Sequence, residues 1–93
     1  MVVGCLLIAV IDRKFEDVKS YYEDVFIGDV KCISKIGVCT LFEAGEEVGN
    51  IVKIDDETTF LSLKTSSKYA ADELLQIIRD LDKNARFTFG CDD

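Results

Sequence analysis

Val2-Val3-Gly4-Cys5-Leu6-Leu7-Ile8-Ala9-Val10-Ile11 opens the chain as ten residues of nearly unbroken apolar character. A bilayer span needs about 20 such residues, so this run reads as part of a folded core. Its Val and Ile content favours a β-strand. Because it is apolar at successive positions, the reading is a central strand buried on both faces. No basic residue precedes it, as a secretory signal would require, and no other targeting signal is read.

Asp12 follows the strand and is expected to cap a helix over about 13–27. Phe15, Val18, Tyr22, Val25 and Phe26 recur at helical spacing as its buried stripe, with Gly28 as the stop. Residues 30–63 then read as strands and turns. Strands are expected over 30–34, 38–43, 48–54 and 58–64, with a turn or bulge at Lys35-Ile36-Gly37. Ala44 to Glu47 and Asp55-Asp56-Glu57 are the other turns, and Val48, Val52 and Ile54 are expected on one face. A second helix is predicted over 67–83, capped by Ser66 or Ser67. Its stripe is Ala70 or Ala71, Leu74, Ile77 or Ile78, and Leu81. Residues 86–91 form the last strand, with Phe87, Phe89 and Cys91 facing one way.

The expected fold is therefore an α+β domain of order β-α-β-β-β-β-α-β, with a largely antiparallel sheet and two helices. Two helices cover one sheet face only. The surplus of apolar residues calls for a curved, barrel-like sheet or for a partner subunit, most simply in a homodimer.

The 93 residues are enough for one domain, spanning 1–93. The apolar fraction is 48% and the charged fraction 31%, a globular balance. The chain has no Pro, Trp or His. Without His there is no Ser-His-Asp or Cys-His machinery and no His-ligated zinc or haem within this chain. Eleven basic residues against 18 acidic ones leave a net charge of −7 and a pI near 4.5. Nucleic acid and anionic membranes are disfavoured as partners, whereas basic partners and divalent cations are favoured.

Cys5, Cys32, Cys39 and Cys91 show no CxxC spacing, so zinc-knuckle and thioredoxin-type motifs are absent. They are expected to be free thiols, three of them in apolar runs, in a reducing, cytoplasmic setting. Cys91 is the candidate exposed thiol. The acidic residues cluster at Glu43, Glu46 and Glu47, at Asp55, Asp56 and Glu57, and at Asp92 and Asp93. Ca²⁺ takes its oxygen ligands largely from such loops, which makes Asp55, Asp56 and Glu57 the candidate metal ligands, although no EF-hand loop is present. The first two clusters are expected at opposite ends of one strand, roughly 23 Å apart, too far to share an ion. Neither a P-loop nor a GxGxxG is present, and no nucleophile stands beside a base.

Thr58-Thr59-Phe60-Leu61-Ser62-Leu63, feeding into the helix Ala70 to Leu81 after a hairpin with an acidic turn, resembles small archaeal α+β domains of unknown function. The resemblance covers about a third of the chain. It implies calcium as a ligand and assigns no ligand residues. The expected function is that of a non-enzymatic binding or interaction module, with a protein partner or a second copy of itself. A divalent-cation (Ca²⁺) binding protein is the alternative, and no other cofactor is expected.

Overall fold

The structure, a computed structural model, describes residues 4–25, 29–33, 36–65 and 71–92. The elements are β1 (Cys5–Ile11), α1 (Phe15–Val25), β2 (Asp29–Ile33), β3 (Val38–Glu43), β4 (Glu46–Asp55), β5 (Thr58–Thr65), α2 (Ala71–Leu81) and β6 (Arg86–Cys91). The strands form one antiparallel sheet in the order β2-β3-β4-β5-β1-β6. The sheet does not close into a barrel; β2 and β6 are its edges. The architecture is α+β.

Both helices lie on one face of the sheet, α1 over β4, β2 and β5 and α2 over β1. The core is the layer between. Cys5, Leu7, Ala9 and Ile11 of β1 meet Leu61 and Leu63 of β5, Ile51 of β4, and Cys39 and Leu41 of β3. Phe15, Val18 and Tyr22 of α1 and Leu74 and Ile78 of α2 close it from above. Those five positions are the helical stripes read from the sequence.

β1 corrects the first expectation. Its burial alternates, with Leu6, Ile8 and Val10 on the uncovered face and Leu6 40% exposed. It is a strand covered on one side only, and the apolar residues at alternate positions mark an open sheet face. β4 corrects another. A β-bulge between β3 and β4 leaves Val48 unpaired and packed against the core, while Val52 pairs with Val38 and Phe60 on the open face. The core residue of this strand is Ile51. Next to the bulge, a Cβ on Gly49 would lie 1.8 Å from the Ser62 carbonyl oxygen, so only glycine allows β4 and β5 to approach.

The entry to α1 also differs. Its first carbonyl acceptor is Lys14, bonded by the amides of Asp17 and Val18 at 3.0 and 3.1 Å. Asp12 does not cap the helix; its own N–H donates to Asp82 Oδ2 at 2.9 Å. Asp82 Oδ1 accepts from Asn84 N–H as well, and Arg13 Nε donates to the Leu81 carbonyl, tying the start of α1 to the end of α2. The expected Gly28 stop and the Ser66 or Ser67 cap lie outside the described residues.

The cysteines are not free thiols. Cys5 bonds Cys91 across β1 and β6, and Cys32 bonds Cys39 across β2 and β3. In each pair the two residues stand directly opposite in the ladder, with Cα atoms 4.0 and 3.9 Å apart. Each edge strand is thus bonded covalently to its inner neighbour. Cys91 is no exposed nucleophile, and the free-thiol argument for a reducing compartment falls away.

Candidate functional site

The β3–β4 hairpin turns through Ala44 and Gly45, both at positive φ (52° and 81°). That is the two-residue connection whose twist matches the strands, shorter than the expected turn over 44–47. It projects Glu43 and Glu46, which pair across the hairpin, towards the ends of the helices. A cleft of about 660 Å³ opens there, between the hairpin, α1 and the first turns of α2. Its apolar floor is made by Tyr22, Val48, Leu63, Leu74 and Ile77. Glu43, Glu46, Glu47 and Glu73 stand around it, all exposed, with Lys64 at the β5 side. The cleft falls within the size range of ligand pockets, roughly 300–1,000 Å³.

Tyr22 reports the electrostatics of this cleft. Burial pushes its hydroxyl up from 10.0 to about 12, and the negative charge of Glu43 adds to the shift. Its neighbour Tyr21 points elsewhere and donates to Asp80 of α2 at 3.4 Å. Burial and the Asp80 charge raise it too. The two adjacent tyrosines therefore diverge, with Tyr22 buried and Tyr21 spent on a helix–helix contact. Glu23, near the disfavoured acidic end of α1, pairs with Lys19 at 3.8 Å.

Asp55, Asp56 and Glu57 sit at the far end of β4, in the β4–β5 turn. The structure does not bring them together as a ligand set. Asp55 Oδ1 accepts the Glu57 N–H at 2.8 Å, closing the turn on itself, and this bond with help from Thr58 holds its carboxyl below the usual range. Asp56 pairs with Lys53 at 3.3 Å. The shallow cleft bordering Asp56 and Glu57 also contains Lys14 and Lys53, whose charges oppose a cation. Among the described residues no group of three or more Asp, Glu or Cys side chains is placed to hold a metal ion.

The second surface is the open face of the sheet. Val38, Val52, Phe60 and Val10 stand in register across β3, β4, β5 and β1 as one apolar row. Beside it runs a mostly polar row of Thr40, Asn50, Ser62, Ile8 and Thr88. Lys31 reaches back over the Phe42 ring at 5.0 Å. Sequence reasoning expected a sheet face that the two helices leave uncovered, but it did not find the acidic cleft. Its one available signal was the density of glutamates in 43–47. The apolar floor beneath them comes from distant segments.

No protein-family profile, curated protein or solved structure matches this chain.

Proposed function

We propose that this chain is a non-enzymatic binding module. It docks a basic, amphipathic segment of a protein partner in the cleft between α1, α2 and the β3–β4 hairpin. The observation that carries this reading is the pairing of an apolar floor with four surrounding glutamates. Lysine or arginine side chains of a bound segment would meet Glu43, Glu46, Glu47 and Glu73, and its apolar side chains would cover Leu74, Ile77 and Val48. The net charge of −7 draws such a segment in from a distance. The two disulfides support an oxidising compartment as the place where the domain works.

A peptide of alternating lysine and leucine, titrated into ¹⁵N-labelled protein, tests the reading. Saturable shifts should be confined to the amides around Tyr22, Val48, Leu63, Leu74 and Ile77 and should weaken with added salt. Glu43→Gln/Glu46→Gln/Glu73→Gln should weaken binding about tenfold, from three exposed pairs worth roughly 0.5 kcal/mol each. Equal binding of a peptide with glutamate in place of lysine, or small shifts over the whole surface that never saturate, would reject the cleft as a docking site.

A further inference from the structure

The two edges of the sheet are not alike. β2 carries Asp29 and Lys31, the kind of charged residues that discourage edge pairing. β6 reads Arg86-Phe87-Thr88-Phe89-Gly90-Cys91, uncharged after its first residue and rich in strand formers. Four of these six residues are exposed. Among the described residues no element flanks β6 on its outer side, and no backbone group bonds to that edge.

The ladder fixes which backbone groups of β6 are free. Asp92 N–H donates to the Gly4 carbonyl at 2.7 Å, so residues 92, 90, 88 and 86 turn their backbone groups inward to β1. The close Cys5–Cys91 approach, with Cα atoms 4.0 Å apart, marks the intervening positions as non-hydrogen-bonded. Phe87, Phe89 and Cys91 therefore present N–H and C=O outward.

We propose that β6 pairs with β6 of a second copy of this chain, antiparallel about a two-fold axis through Phe89. Phe89 then faces Phe89 of the partner subunit, and Phe87 faces the partner's Cys91. Each of these pairs exchanges two N–H···O=C bonds. In this register Arg86 stands opposite the partner's Asp92, on the same side of the sheet, and the two-fold repeats that pair at the other end. Charge complementarity thus selects this register, and it lets two molecules of net charge −7 meet along a strip that is neutral in sum. The product is a continuous twelve-stranded sheet, with both pairs of helices on one side and both open faces on the other. A second copy is favoured over an unrelated strand because the sequence 86–92 is complementary to itself in this direction. The surface is distinct from the cleft, so either idea can fail without the other.

Sedimentation equilibrium over a concentration series tests the proposal, with the mass expected to rise from 10.4 kDa towards twice that value. Arg86→Asp or Asp92→Arg alone should weaken the dimer about tenfold or more, because each puts like charges opposite one another at both ends. The double variant Arg86→Asp/Asp92→Arg should restore it. In a mixture of labelled and unlabelled chains, filtered NOE spectra should show a contact between Thr88 Hα and Gly90 Hα of the partner. A monomer at millimolar concentration would overturn the proposal. So would a dimer indifferent to both single charge changes, or intermolecular contacts confined to Val52, Phe60 and Val10 on the open face.

Discussion

At the scale of single residues, Tyr22 joins the core to the cleft, and its ionisation is the clearest handle on both. Its hydroxyl titrates near 12, well above the ordinary 10.0, because the folded protein disfavours the phenolate. A raised folded value means that the stabilisation is complete below the ordinary value and is lost as the pH climbs through about 12. An ultraviolet titration should therefore show one tyrosine ionising near pH 12, absent in Tyr22→Phe, with unfolding accompanying it. Glu43→Gln should lower the Tyr22 midpoint while leaving it above the ordinary value, because burial is the larger cause. The residue scale also shows what a sequence can and cannot give away. Val18, Tyr22, Leu74 and Ile78 announce their burial by spacing alone. Gly49 looked like any strand glycine. Its necessity depends on the Ser62 carbonyl of the neighbouring strand, and no local pattern encodes that approach. Asp55 looked like a cation ligand because acidic turns resemble ion sites in composition. Its carboxylate accepts the Glu57 amide, a bond two residues away that turn chemistry alone explains.

At the scale of elements, the strand and helix pattern was legible wherever period and turn chemistry agreed. The open face was misread because β1 is apolar at every position, and an unbroken apolar run does not say whether one side or both are covered. Helix entry was misread for a related reason. An Asp after a strand is a natural cap, yet here the chain bends through residues 12 and 13 before Lys14 starts the helix. The β3–β4 hairpin is the element most open to improvement. Ala44 holds φ 52°, a left-handed conformation that costs an alanine about 1 kcal/mol or more and that asparagine tolerates better. Ala44→Asn should raise stability by about 0.5–1 kcal/mol in denaturant unfolding, with no change in the slope. An unchanged or lowered midpoint would show that the hairpin does not hold this conformation in solution.

At the scale of the whole molecule, the cysteines are the lesson. Metal and redox motifs are local and show in the spacing of cysteines along the chain. A cross-strand bond depends instead on register, and Cys32 and Cys39 are related only by the hairpin between β2 and β3. Cys5 and Cys91 are related only through the sheet order that sets β6 beside β1. The larger loop, with a sequence separation of 86, constrains the unfolded chain by about 4–5 kcal/mol, and the smaller one, with a separation of 7, by about 2–3 kcal/mol. Cys5→Ser/Cys91→Ser should therefore lower the unfolding free energy more than Cys32→Ser/Cys39→Ser, and equal losses would refute the loop-length account. The Cys5–Cys91 bond also turns the chain from residue 5 to residue 91 into a covalent ring, with the smaller ring inside it. A protease that cuts one peptide bond in an exposed turn of this ring, at Gly45 or Asp56, opens a circle without releasing a fragment. The nicked molecule gains only the water of hydrolysis and stays in one piece until a reductant arrives, so its ends in space are not where its sequence places them.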